Sequence, residues 1–220
     1  MYRRLVLLGP PAAGKGTQAE LLKEQFGFQT PSVGAMLREQ KAAGTPAGLR
    51  AAEYFERGLL VPDEISIEIV RQWLEANDGA WVLDGYPRTI GQADAFEAML
   101  NERGESVELA LLIDAGEPVI RDRVAHRVVC KKCGGVFRVG MHITSDADPC
   151  PRCAGNLARR ADDNIDALAD RLIEYRTKTA PVIGWYESRG ILARIDGNPD
   201  IQTVSSQVTS ALQPAHSTRA

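Results

Sequence analysis

The chain has 220 residues and a mass of 24.0 kDa, which at roughly 150 residues per domain is one domain, or one domain carrying inserted subdomains. With 44% hydrophobic, 25% charged and 6% aromatic residues, it falls outside the disordered, collagenous and disulfide-dense classes. The 26 Lys and Arg against 29 Asp and Glu leave a formal net charge of −3, so no global basic field exists for nucleic acid or an anionic membrane, and any anion site must be local.

The chain starts Met1-Tyr2-Arg3-Arg4, followed by a four-residue apolar run at 5–8. An export signal needs roughly 7 to 15 apolar residues, and no run approaches the roughly 18 of a membrane span. A cytoplasmic chain is expected, with neither nucleic acid nor membrane as partner. Short apolar runs at 5–8, 81–83, 109–113 and 191–195, with a weaker strand at 28–33, alternate with longer amphipathic segments. Parallel strands buried between crossover helices give this pattern, so the predicted class is α/β. Helices are predicted over 14–25, 33–43, 46–56, 63–76, 89–102, 117–127, 162–188 and 199–212. Between 130 and 159 the helical periodicity stops, glycines and prolines accumulate and all four cysteines appear, which marks an inserted small domain. The tail, 213–220, is polar and expected to fray.

The first strand runs into Gly9-Pro10-Pro11-Ala12-Ala13-Gly14-Lys15-Gly16-Thr17, and an amphipathic helix follows. In such a loop, backbone N–H groups and the helix N-terminus converge on a polyphosphate while Lys15 neutralises its charge. Gly16 intervenes between the lysine and Thr17, and Ala12 stands where glycine is often found. A structural glycine-rich turn is the plain alternative.

The strand at 81–83 ends in Asp84, beside that loop. The carboxylate can hold magnesium, through water because this ion dehydrates reluctantly, or it can cap a turn. Thr89 and Gln92 have the spacing of a capping box, and Asp162 and Asp163 can cap the long helix behind them. Cys130/Cys133 and Cys150/Cys153 are two C-x-x-C pairs with 16 residues between them, the spacing of a zinc site. Four thiolates leave zinc no open position, so the metal would be structural and would supply folding energy to a segment too small for its own core. Iron fits the same donors; disulfides do not suit a cytoplasmic chain. His126, His142 and His216 receive no role, and Trp73, Trp81 and Trp185 read as core or helix-face residues.

A phosphate loop ending Gly14-Lys15-Gly16-Thr17, the run Leu83-Asp84-Gly85-Tyr86-Pro87-Arg88-Thr89 followed by Gln92, and Arg159-Arg160-Ala161-Asp162-Asp163 followed by Arg171 resemble the adenylate kinases, in order and spacing, over residues 5–197. The resemblance implies a P-loop nucleoside monophosphate kinase fold with a parallel sheet of about five strands. Its core would be 1–31, 62–125 and 164–220, with a nucleoside-monophosphate-binding insert at 32–61 and a zinc-binding lid at 126–163. It implies reversible transfer from ATP to AMP giving ADP, magnesium and structural zinc as cofactors, a monomer, and a part in adenine nucleotide homeostasis. Lys15, Arg123, Arg127, Arg160 and Arg171 would surround the transferred phosphoryl, with Asp162 and Asp163 as hinge residues and partners of the arginines. The loop residues Ala12, Ala13, Gly14, Lys15, Gly16 and Thr17, with Arg127, Val136, Phe137 and Pro199, would bind ATP. Arg38, Arg88, Arg160 and Arg171 would hold AMP, Gln92 its adenine, and Val33, Leu59, Leu60, Val61, Gly85, Tyr86 and Pro87 the rest of its pocket. Val33 and Ala35 replace the family's usual Thr and Asp, removing a hydroxyl near the acceptor base. Another nucleoside monophosphate kinase is therefore the nearest rival. A P-loop switch or zinc-ribbon nucleic-acid-binding protein is a distant one, opposed by the charge of −3 and the missing Asn-Lys-x-Asp.

Overall fold

Leu5, Val6 and Leu7 in β1 (Arg4–Leu8) have no solvent exposure at all, which demands cover on both faces of the sheet. The structure, a computed structural model, describes residues 1–55, 59–159 and 163–213. In it β1 lies between β2 (Trp81–Asp84) and β3 (Leu109–Asp114), and β7 (Leu192–Asp196) flanks β3, all parallel in the order β2-β1-β3-β7. Successive residues point to opposite faces, so the sheet feeds two cores. Val6, Leu8, Leu83 and Leu112 pack against α2 (Val33–Ala42), α4 (Asp63–Ala76), α5 (Ile90–Glu102) and α8 (Ala180–Glu187). Leu5, Leu7, Val82 and Leu111 pack against α1 (Lys15–Phe26), α6 (Glu117–His126), α7 (Ile165–Glu174) and α9 (Ile201–Ala211). A further helix, α3 (Pro46–Phe55), packs beside α2. No helix among the described residues is long and apolar enough to cross a membrane.

Among the described residues the main sheet has four strands, not about five. The 28–33 segment runs parallel to β2 and its Gln29 and Pro31 carbonyls accept from the Val82 and Asp84 amides at 2.8 and 2.9 Å. Residues two apart face the same neighbour, so the donor that Pro31 lacks is one β2 would have received. Pairing is left as isolated bridges, Gln29 with Trp81 and Ser32 with Asp84. The expected helix 162–188 is α7 and α8 joined by a π-helical turn, Tyr175–Thr179. Pro181 donates no N–H and its ring crowds the carbonyl of Thr177, four residues back, so the ladder shifts by one there. That helix is capped by Asn164, whose Oδ1 accepts from the Ala167 amide at 2.8 Å, rather than by Asp163. The last helix starts later than expected, at Ile201, because Asp200 caps it by accepting from the Gln202 and Thr203 amides.

Between α6 and α7 a small antiparallel sheet, β4 (Arg127–Cys130), β5 (Val136–Arg138) and β6 (Leu157–Ala158), stands in the order β5-β4-β6. It has its own core of Val128, Cys130, Phe137, Ile143 and Cys150.

Gly9 ends β1 at φ +138°, and a Cβ there would lie 2.1 Å from the Ile113 carbonyl oxygen of β3. Gly27, which closes α1 at φ +72°, has open space around the same position. Gly27→Ala should therefore cost about 1 kcal/mol, from the left-handed conformation alone. Gly9→Ala should cost at least about 4 kcal/mol, since backbone must move as well. Paired denaturant unfolding curves of the two variants check the difference.

Candidate functional site

Every strand of the main sheet points its C-terminal end toward one cleft of about 620 Å³, the position where ligands bind in open parallel sheets. At its centre lies the glycine-rich loop between β1 and α1. Gly9 and Gly14 hold positive φ, and Ala12 also does, at +58°. Glycine would meet that conformation without the strain a Cβ brings. The half-buried Lys15 extends beneath the loop, and its Nζ donates to the Gly9 and Pro10 carbonyls at 2.8 Å each. Burial pushes its pKa down to about 8, opposed by the negative charge of Asp84 and reinforced by Arg88, Arg171 and Arg127.

Arg88 shows the same conflict. Its Nε donates to the Gly85 carbonyl at 2.7 Å, and burial, then the charge of Arg171 and that of Arg38, pull its pKa down to about 10, with Asp84 opposing. A Cβ on Gly85 would meet Arg88 Nη2 at 2.9 Å, so only glycine lets the guanidinium lie across this turn. Arg123 spans the loop and the turn after β7, donating to the Ala13 carbonyl at 2.8 Å and the Gly197 carbonyl at 2.7 Å. Arg127 forms a two-pronged ion pair with Asp163, with Nε to Oδ2 at 2.6 Å and Nη2 to Oδ1. Arg171 Nη1 lies 3.7 Å from the same Oδ1. The Asp163 side chain is 1% exposed and faces two guanidiniums.

β1 and β2 pair with Leu7 opposite Asp84, which sets the Asp84 carboxylate against the loop. Its Oδ2 would be 3.5 Å from a Cβ on Gly16. A hard oxygen donor at this point, between the loop and the arginines, suits a hydrated magnesium ion accompanying a polyphosphate.

At the other end of the cleft, Val33, Arg38, Leu59, Leu60, Val61, Gly85, Tyr86, Pro87, Arg88 and Gln92 line one wall. Gln92 is 2% exposed, and its backbone amide donates to Thr89 Oγ1, the helix cap, at 3.1 Å. The reciprocal half of a capping box is replaced: Gln92 Oε1 accepts from the Arg88 amide at 2.8 Å, one residue earlier than the Thr89 amide, while Nε2 donates to Asp63 Oδ1 at 2.7 Å. Val136, Phe137 and Pro199 also line the cleft, although Phe137 is packed into the core of the insert. Arg160 and Asp162 lie outside the described residues.

Sequence reasoning passed over several neighbours of this site. His142 and Arg138 stand in the cleft wall, where the Arg138 amide donates to His142 Nδ1 at 3.0 Å. Asp63, which follows Pro62 at the start of α4, reads in sequence as a first-turn acid serving the helix dipole. Its pairing with Gln92 is made through space, and no local spacing signals it.

In the insert the four sulfurs all lie within 4.8 Å of one another, with Cys130 and Cys153 Sγ at 3.5 Å and Cys133 and Cys150 Sγ at 3.7 Å. A tetrahedral zinc with bonds of about 2.3 Å separates its sulfurs by about 3.8 Å, so the cage fits that ion. The two pairs are built alike. Cys130 and Cys150 each donate N–H to the carbonyl five residues on, Gly135 or Gly155, and accept from the amide four residues on, Gly134 or Ala154. Gly134 and Ala154 both take positive φ, 70° and 52°. A Cβ on Gly155 would meet Cys130 Sγ at 3.1 Å, so glycine is what lets the second turn approach the sulfurs.

Two outcomes are expected. The depressed Lys15 pKa means that the unfolded chain binds more protons than the folded one between pH of about 8 and 10.5. Stability of the ligand-free protein should therefore rise across that window, and below pH of about 8 the penalty of the buried charge is fully present. Lys15→Met should be at least as stable as the parent near neutral pH and should remove this component of the rise, read from unfolding midpoints at pH values of about 7, 8, 9 and 10. Separately, Cys133→Ser should abolish stoichiometric zinc by elemental analysis and lower the apparent melting temperature by at least about 4 °C.

The Adenylate kinase family model matches residues 7–191. The chain is 40% identical to an adenylate kinase of Geobacillus sp. (strain WCH70) over 94% of its own length and 97% of that protein. It is 39% identical to one of Syntrophotalea carbinolica over 95% and 98%, and 37% identical to one of Archaeoglobus fulgidus over 95% and 97%. With a phosphate loop, a ring of arginines and a four-cysteine insert framing one cleft, the chain belongs to the adenylate kinase family of phosphotransferases.

Proposed function

We propose that the chain catalyses reversible, magnesium-dependent phosphoryl transfer from ATP to AMP, giving two ADP, and so serves adenine nucleotide homeostasis in the cytoplasm. The observation that carries this reading is one cleft lined together by the glycine-rich loop with Lys15, by the buried Gln92, and by Arg88, Arg123, Arg127 and Arg171.

The acceptor oxygen of a nucleoside monophosphate is already anionic at neutral pH, so the reaction needs no general base. It needs alignment and positive charge. Two nucleotides bring about six negative charges into the cleft, and the transition state is stabilised mainly by groups already in place. The loop amides and Lys15 would hold the donor's phosphates, Arg38 and Arg88 the acceptor's, and Arg123, Arg127 and Arg171 the transferring group, joined by Arg160 on the resemblance alone. Planar guanidiniums suit phosphate oxygens in pairs. Asp163 would hold Arg127 and Arg171 in register, and Asp162 takes a hinge role on the resemblance alone. Magnesium, when bound near Asp84, would neutralise charge shared between the donor's phosphates. Zinc in the cysteine cage would hold the insert together and take no part in transfer.

Val33 is 5% exposed and packs in the apolar core beneath the acceptor wall. A hydroxyl there is replaced by an alkyl contact, at a cost of about 0.5–1.5 kcal/mol in affinity if one hydrogen bond to the base is lost. That is too little to reverse a preference set by Gln92. ADP formation from ATP and magnesium with AMP, UMP, CMP and GMP offered as competing acceptors tests the reading, and AMP should be used in strong preference. Preference for a pyrimidine or guanine acceptor would move the chain to another nucleoside monophosphate kinase activity. Lys15→Met should lower kcat by about 10²-fold or more while the far-UV profile stays intact and the melting temperature near neutral pH is no lower than the parent's.

A further inference from the structure

We infer that Asp63 is a positioning residue that sets which base the acceptor pocket reads, by fixing the orientation of the Gln92 carboxamide. The inference rests on the reading of Gln92 as the group facing the acceptor base. A glutamine side chain presents an acceptor and a donor side by side, and rotation by half a turn about its last bond exchanges them with little change of shape. What the amide shows to a ligand is therefore decided by the groups behind it.

Two such groups are present, and they have opposite chemistry. Asp63 Oδ1 lies 2.7 Å from Gln92 Nε2, and a carboxylate can only accept. The Arg88 amide lies 2.8 Å from Gln92 Oε1, and a backbone N–H can only donate. Either contact alone would bias the amide; together they permit a single orientation. Asp63 is itself held, because Thr89 Oγ1 donates to its Oδ2 at 2.6 Å while accepting the Gln92 amide at 3.1 Å. Gln92 lines the cleft, whereas Asp63 does not; it stands behind Gln92, at the first turn of α4. Its charge is also felt by the buried Tyr86, whose phenol is pushed above its usual range first by burial and then by Asp63.

With both anchors engaged, Gln92 has one N–H and one lone pair left for a ligand. Adenine offers the complement, a ring nitrogen that accepts beside an exocyclic amine that donates. Hypoxanthine has nearly the same shape but the reverse polarity, with a ring N–H that donates beside a carbonyl that accepts. Removing the carboxylate's exclusive demand for a donor should therefore let the amide turn and admit the wrong purine.

The experiment compares AMP with inosine monophosphate as acceptors for the parent and for Asp63→Asn, whose carboxamide can face either end of Gln92. The variant should show KM for AMP raised about tenfold with kcat much less affected, and the ratio of kcat/KM for AMP over inosine monophosphate should fall by at least about tenfold. A purely structural role would lower both substrates together and leave that ratio unchanged, which would overturn the inference, as would an unchanged KM for AMP. If the parent itself fails to prefer AMP, the reading of the acceptor site fails instead. Asp63→Ser, with a residue tolerated at helix starts, supplies the same comparison if the Asn variant does not fold.

Discussion

The centre of this molecule is a group of like charges held in each other's field. Lys15, Arg88, Arg127 and Arg171 line one cleft with the glycine-rich loop, and burial together with mutual repulsion depresses the affinity of Lys15 and Arg88 for their protons. Such an arrangement is unfavourable without anions and strongly favourable with them, since each ligand charge relieves repulsion as well as adding attraction. The protein supports it with local counterweights. Asp84 faces Lys15 and Arg88, and Asp163, buried, holds Arg127 and Arg171. The loop carbonyls of Gly9 and Pro10 accept from the Lys15 ammonium group. On the proposed function, polyphosphate would replace these contacts without rebuilding the site.

The sheet brings these groups to one place. Strands β1, β2 and β3 bury both faces, so their interior side chains are committed to the two cores and the polar groups lining the cleft sit at or just beyond the strand ends. Leu8 leads into the loop, Leu83 into Asp84 and the Gly85–Arg88 turn, and Ile195 into the Gly197–Pro199 turn that Arg123 grips. The contact of Gly9 with the Ile113 carbonyl fixes the first of these exits against β3. Packing in the core thereby sets distances at the site.

How much of this was legible in the sequence depended on the range of the interaction. The apolar runs, the Gly14-Lys15-Gly16-Thr17 turn and the two C-x-x-C pairs are local patterns, and the α/β class and the metal cage follow from them. Strand count failed at 28–33 because a single Pro31 removes one inward donor while leaving the apolar pattern untouched. Helix continuity failed at Pro181 for the same reason, the ladder shifting rather than ending. Thr89 was legible as a cap; the destination of the Gln92 side chain was not. Its Nε2 partner is 29 residues away, and only tertiary packing of α4 against α5 brings Asp63 to it.

With its cysteine cage filled, the four-cysteine insert would combine strong internal bonding with weak surface attachment, the combination that a moving lid needs. Within the insert, a filled four-thiolate site contributes apparent binding energies of about 10–16 kcal/mol in small zinc domains. Between the insert and the core, apart from the Asp163–Arg171 pair at the C-terminal end of the insert, the described contacts are of another order. Arg152 pairs with Glu20 on α1, Arg138 pairs with Asp122 on α6, and Arg159 donates to the Ala125 carbonyl at 2.7 Å. Exposed ion pairs of this kind are worth about 0–1 kcal/mol each. Opening would then break a few weak surface contacts while the cysteine cage and its small core stay whole. Closing would exclude water from the donor phosphates, so that the monophosphate rather than water receives the transferred group. On the proposed function, metal and surface charge would divide the work: the filled cage would make the insert rigid enough to exclude water, and the weakness of its surface attachment would let product leave.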